Sequence, residues 1–178
     1  ARANDAVLAD FDGNGTLDIL HGVGDAYGDY TALYYYSGKG DGTFAAVTSF
    51  PGAAGGISGA ITAGDFDGDG RLDAAVGVGS TISIVFGNGD GTFGNRLSVQ
   101  ATAGPTGVAS LSAADVDGDG IDDILVANSG VDVFLGSAQR SFDRVTSSVG
   151  ASGLEGIAAG DLDGDGVMDI AVTSWWYN

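Results

Sequence analysis

Short apolar runs, separated by glycine-rich breaks, dominate this chain. In "TISIVF" Ile82, Ile84 and Phe86 alternate with Ser83 and Val85, the period of two expected of a β-strand. "TALYYY" and "VDVFL" hold equivalent places. Ahead of these lie "LDILHGV", "LDAAVGV" and "DDILVAN", with "MDIAVTS" near the end. They are rich in Ile, Val and Ala and too short for helices, so they read as strands. Before them stand "AVLAD", "AITAGD", "SLSAAD" and "GIAAGD". After the third run come "GKGDGTF" (38–44), "GNGDGTF" (87–93) and the divergent "GSAQRSF" (136–142), which read as turns into a fourth strand. The predicted unit is a four-stranded antiparallel sheet, and the predicted class is all-β. Thirty-three glycines suit many short strands joined by tight turns.

The break between the first and second strands is the same in every unit. It reads "DFDGNGTLD" (Asp10–Asp18), "DFDGDGRLD" (Asp65–Asp73), "DVDGDGIDD" (Asp115–Asp123) and "DLDGDGVMD" (Asp161–Asp169). The starts are 55, 50 and 46 residues apart, a period that suits a repeat architecture with one supersecondary element per unit. Position 2 is apolar throughout (Phe11, Phe66, Val116, Leu162), and glycine fills positions 4 and 6. Acidic side chains this close together must either take up protons or recruit a cation. All the donors are hard oxygens, which suits a divalent ion, and calcium tolerates irregular geometry better than magnesium does.

The predicted ligands are position 1 (Asp10, Asp65, Asp115, Asp161), position 3 (Asp12, Asp67, Asp117, Asp163) and position 5 (Asn14, Asp69, Asp119, Asp165). Position 7 adds the backbone carbonyls of Thr16, Arg71, Ile121 and Val167, and position 9 adds Asp18, Asp73, Asp123 and Asp169. With a bidentate ninth residue each loop supplies roughly six oxygens, within the usual range for calcium. About four calcium ions per chain follow. The first loop has Asn14 in place of an acid and one less negative charge, so it is expected to bind most weakly. Ordinary Asp-Gly turns would account for one such loop, but not for four in one register. Asp41 and Asp90 lack surrounding acids and read as turn residues.

Charge changes the picture only through these loops. The formal net charge is −18, and 15 of the 24 acids stand at ligand positions, three in the first loop and four in each of the others. Four divalent ions would offset eight of those charges. Six Lys and Arg residues without a cluster argue against nucleic-acid binding, which needs a basic surface. With no cysteine there is neither a disulfide nor a cysteine zinc site. No apolar run approaches the ~20 residues that span a bilayer, so membrane insertion is not expected. Calcium sites of this kind fill readily where calcium is abundant, which points to an extracellular or cell-surface setting.

Sheets repeating at this period suggest propeller blades, with a solenoid as the other repeat architecture weighed. The first strands carry unusually small residues, among them Ala60, Ala63, Gly64, Ala113, Ala114, Ala158, Ala159 and Gly160, as strands converging on an axis would require. The loop together with "GNGDGTF" resembles the FG-GAP and VCBS-type repeats of integrin-alpha-like β-propellers, over almost the whole chain. That resemblance implies calcium at Asp65, Asp67, Asp69, Asp73 and their counterparts. It also implies roles in adhesion, carbohydrate binding, surface assembly or as an accessory module of a larger secreted enzyme. The expected organisation is a single array over 1–178, with blades at about 1–53, 54–104 and 105–150 and an incomplete one over 151–178.

About three and a half blades cannot close neatly, and related propellers have more. The chain is therefore expected to be part of a longer polypeptide, to be completed by other copies of itself (as a filament subunit, for example), or to form a small array alone. Exposed sheet edges favour such pairing. Catalysis is not expected. His21 is the only histidine and Glu155 the only glutamate, and the aspartates are better explained as ligands. The sequon Asn14-Gly15-Thr16 lies inside a metal loop and is expected to be unmodified. Tyr34, Tyr35 and Tyr36 are expected in blade packing. Tyr27, Tyr30, Trp175, Trp176 and Tyr177 are candidates to contact a carbohydrate or a surface protein.

Overall fold

The computed structural model describes residues 5–24, 31–51, 57–102, 107–147 and 153–175. The first sheet is the antiparallel meander β1 (Ala6–Ala9), β2 (Asp18–Gly24), β3 (Thr31–Tyr36) and β4 (Thr48–Pro51). The second comprises β5 (Ile57–Gly64), β6 (Asp73–Val78), β7 (Thr81–Gly87) and β8 (Phe93–Gln100). The third comprises β9 (Ser110–Ala114), β10 (Asp123–Ala127), β11 (Val131–Leu135) and β12 (Asp143–Ser147). A two-stranded sheet of β13 (Leu154–Gly160) and β14 (Asp169–Ser174) ends the described chain. These are propeller-type blades, all-β as the alternation predicts.

One register recurs in all four sheets. The residue just before each acidic loop pairs with its ninth residue: Ala9 with Asp18, Gly64 with Asp73, Ala114 with Asp123 and Gly160 with Asp169. The loop therefore closes the hairpin between first and second strands in the same way each time.

The sheets stack face on face, and their first strands β1, β5, β9 and β13 pack in succession. Small residues permit that approach. A Cβ on Gly64 would come within 2.8 Å of the Asp122 carboxylate and of the Phe66 ring. Between the first and second sheets lie Phe11, Leu20, Leu33 and Tyr35 with Ile61, Ala74, Val76 and Val85. Between the second and third lie Phe66, Ala75, Ile82 and Ile84 with Leu111, Ile124, Val126 and Phe134. Leu125, Ala127, Val131 and Val133 meet Leu154 and Ile157 at the last junction.

The position-2 side chain is a peg into the following sheet. Phe11 and Phe66 are buried, each stabilising its junction by roughly 1.5–3 kcal/mol. Leu162, on the two-stranded sheet, is 69% exposed. Tyr35 packs in the first junction, while Tyr34 and Tyr36 lie half-buried on the other face of β3. Trp175 is exposed. Tyr27, Tyr30, Trp176 and Tyr177 lie outside the described residues.

Candidate metal centres

Each acidic loop is shaped by its own carboxylates. The position-1 aspartate accepts backbone amides from further along the loop. Asp65 takes Asp69 N at 3.1 Å and Gly70 N at 2.8 Å. Asp10 takes Asn14 N and Gly15 N, Asp115 takes Asp119 N and Gly120 N, and Asp161 takes Asp165 N and Gly166 N. Curling the backbone so tightly puts both loop glycines in the left-handed region, as at Gly68 (φ 69°) and Gly70 (φ 82°). Side chains other than glycine pay a steric penalty there.

The position-9 aspartate is anchored from two strands. Asp73 Oδ2 accepts Phe66 N at 3.0 Å, across the loop, and Oδ1 accepts Gly87 N at 2.8 Å, from the end of β7. Asp18 takes Phe11 N and Gly38 N, and Asp123 takes Val116 N and Gly136 N, by the same two bonds. Asp169 takes Leu162 N. Sequence reasoning missed the third-strand donors. The signal was present, because glycine opens all three turn segments, including the divergent "GSAQRSF". A Cβ on Gly38, Gly87 or Gly136 would lie 2.2, 2.1 or 2.5 Å from the position-8 carbonyl oxygen.

Positions 1, 3 and 9 converge. In each loop one oxygen from each of three aspartates lies within 4.8 Å of the others: Asp10, Asp12 and Asp18; Asp65, Asp67 and Asp73; Asp115, Asp117 and Asp123; Asp161, Asp163 and Asp169. The position-5 aspartates Asp69, Asp119 and Asp165 are not part of these triads. One oxygen of each turns back onto the amide two residues on, at Arg71, Ile121 and Val167. Asn14 Oδ1 does the same with Thr16 N at 2.7 Å. These bonds tie down the backbone at position 7, whose carbonyl the sequence assigns as a ligand.

Burial makes the triads poor places for bare negative charge. Asp18, Asp73 and Asp123 are almost wholly buried. Burial above all pushes the Asp73 carboxyl up to about 7; the Gly87 and Phe66 amides oppose this, and the charges of Asp67 and Asp69 reinforce it. Asp123 is shifted upward for the same reasons. Three hard carboxylate oxygens around one point, with Asp73 and Asp123 disfavoured as bare charges by burial, suit a hard divalent cation. Bound there, the ion would offset two of the triad's charges and join the hairpin turn to the third strand through the position-9 carboxylate.

The other candidates fall elsewhere. Asp41 and Asp90 each accept a backbone amide and a hydroxyl from one threonine, Thr43 or Thr92, as turn residues do. His21 is half-buried in β2 opposite Tyr34, and Glu155 is exposed on β13. No helix among the described residues is long and apolar enough to cross a membrane.

The FG-GAP-like repeat family matches over residues 10–76, 65–126 and 115–172, each span running from one acidic loop through the next. This chain belongs to the FG-GAP-like repeat family. Among solved structures it is similar to an Agrocybe aegerita lectin described for specific recognition of non-reducing terminal N-acetylglucosamine. Identity is 28% and the TM-score 0.68, over 94% of this chain and 45% of the lectin chain. A second likeness is to the Photorhabdus luminescens Tc holotoxin pore, at 21% identity and a TM-score of 0.58, over 94% of this chain and 8% of that one. The chain thus spans less than half the length of either. Comparison with curated proteins gives no match.

Proposed function

We propose that the chain is a non-catalytic, calcium-stabilised propeller array that binds carbohydrate in an extracellular or cell-surface setting. The observation that carries the ligand class is the likeness to the lectin, which extends over 94% of this chain at 28% identity. Calcium is the ion because the triads offer hard oxygens in compact but irregular loops, and calcium accepts irregular geometry. Its work is structural. By cancelling the repulsion among converging carboxylates it holds four hairpins in one register, and so keeps the blade faces stacked. The decisive experiment is a glycan array probed in calcium and in chelator, followed by titration with N-acetylglucosamine-terminated oligosaccharides. The reading expects calcium-dependent binding to a restricted set of glycans. An array without signal in calcium, from a protein shown to be folded, would refute the carbohydrate assignment.

A second reading, assembly with further blades, is favoured by the last sheet. Leu162, Val167, Met168 and Ile170 are all exposed there, whereas β10, the counterpart of β14, is buried throughout. A further blade, from a longer chain or a second copy, would cover Leu162 as Phe11 and Phe66 are covered. Sedimentation velocity over a concentration range tests the second-copy form. A monomer at every concentration counts against it.

A further inference from the structure

The second acidic loop differs from the first in how its position-3 aspartate is held. In the first loop, Asp12 Oδ2 accepts the Tyr35 hydroxyl at 3.0 Å and the Ser37 hydroxyl at 2.8 Å, both from the same sheet. The pairing register places Ile84 and Phe86 at the equivalent positions of the second sheet, and neither can donate. The equivalent oxygen, Asp67 Oδ2, instead accepts Arg140 Nε at 2.5 Å. Arg140 belongs to the turn after β11, in the neighbouring sheet. Its guanidinium lies over the Phe86 ring, 4.4 Å from the centroid, and reaches Asp69 at 3.5 Å.

The turn has changed to allow this. "GSAQRSF" aligned on "GNGDGTF" puts Arg140 where the previous turn has Gly91. A Cβ on Gly91 would lie 2.6 Å from the Tyr35 ring, so at the first junction glycine makes room for the tyrosine that holds Asp12. At the second junction the small partner is Ile84 and the reaching side chain is Arg140. Arg140 takes φ 56°, the one non-glycine residue with positive φ among those described. A strained residue at one place in a repeat marks a local role that offsets the strain.

We propose that Arg140 is a built-in counter-cation of the second metal loop. It neutralises Asp67 when the ion is absent, beside Arg71, which pairs with Asp69 from within the loop; it latches the third blade to that loop, and lowers the loop's affinity for a divalent ion relative to the same loop without it. The proposal rests on the acidic triads being metal centres. A guanidinium bonded to a ligand carboxylate repels a divalent ion at the triad; for charges about 6 Å apart with water-like screening the repulsion corresponds to about tenfold in affinity.

The test is a calcium titration followed by amide NMR, in which Gly15, Gly70, Gly120 and Gly166 each report their own loop. In Arg140→Gln and Arg140→Gly the Gly70 midpoint should move to about tenfold lower calcium, with the other three unchanged. Melting in calcium and in chelator supplies the second reading. A purely structural arginine, stacked over Phe86 and bonded to Asp67, predicts a loss on Arg140→Gly of similar size in calcium and in chelator, whereas a counter-cation predicts a loss clearly larger in chelator. A Gly70 midpoint that stays put or rises, or an Arg140→Gly loss no larger in chelator than in calcium, overturns the proposal. Failure of all four glycines to respond in the parent protein overturns the metal reading and the proposal with it.

Discussion

Replacing Gly87 by alanine should destabilise the protein far more than its place at the end of a strand suggests. The added Cβ would lie 2.1 Å from the Leu72 carbonyl oxygen, more than an ångström inside an ordinary 3.4 Å contact, and the obstacle is backbone. Relief requires moving the Leu72–Asp73 peptide, and with it the 2.8 Å bond from Gly87 N to Asp73. Overpacking of this kind costs about 1–3 kcal/mol. Weakening a hydrogen bond to a buried carboxylate adds about 1.5–3 kcal/mol. The expected loss is therefore about 3–5 kcal/mol, or roughly 6–20 °C in melting temperature for a chain of this size. Gly70→Ala is the control. Nothing lies within 4 Å of its Cβ, and only the φ of 82° opposes it, so about 1–2 kcal/mol is expected. Urea unfolding of both variants in calcium measures the difference. A Gly87→Ala protein no less stable than Gly70→Ala would refute the claim that the third-strand glycine anchors the ninth ligand.

Three further outcomes follow from the same geometry. Asp132→Ala should cost about 3 kcal/mol by urea unfolding, because buried Asp132 accepts Thr102 N, Thr102 Oγ1, Thr146 Oγ1 and Asn128 Nδ2, and its loss orphans those donors. Burial works to raise the Asp132 carboxyl, but those donors outweigh it and hold the group below its ordinary value. Its contribution is thus present above pH ~4 and lost as pH falls through the folded value. Asp73 has the opposite sign: raised to about 7, it stabilises the metal-free protein at low pH, and that contribution is lost as pH rises through about 7. In chelator the melting temperature should therefore be higher at about pH 5.5 than at pH 8, and calorimetry showing the reverse order would count against a buried, repelled triad. Asp67→Ala should lower stability in calcium more than Asp41→Ala, since Asp41 only closes a turn onto Thr43, and paired melting curves decide it.

Much of this architecture was legible because repetition amplifies weak signals. A single "DxDGDGxxD" is a turn with acids. Four in one register point to the strand–loop–strand hairpin and to a cation site, of which the structure brings together positions 1, 3 and 9. The alternation in "TISIVF" gave β7, and the small residues Ala63 and Gly64 gave the close approach of first strands. What escaped the sequence depends on contacts between strands and between sheets. The bond from Gly87 to Asp73 forms only when β6 pairs with β7, and its one trace in the sequence is the glycine that opens each turn segment. Arg140 looked like decay of a turn motif. Its meaning appears only when the third sheet packs on the second and places it over Phe86 and against Asp67. At the position-5 aspartates the fold adds a bond that spacing does not show: one oxygen of each accepts the amide two residues on.

The central claim is that the acidic loops are calcium centres on which the stacked blades depend. Thermal unfolding in excess calcium and in excess chelator tests it most directly. An ion at a hundred times its dissociation constant stabilises by about 2.7 kcal/mol per site. Four such sites correspond to a rise on the order of 20 °C or more for a chain of this size. The account predicts a calcium-dependent shift of that order, only partly reproduced by magnesium. Coincident melting curves in calcium and chelator would contradict it.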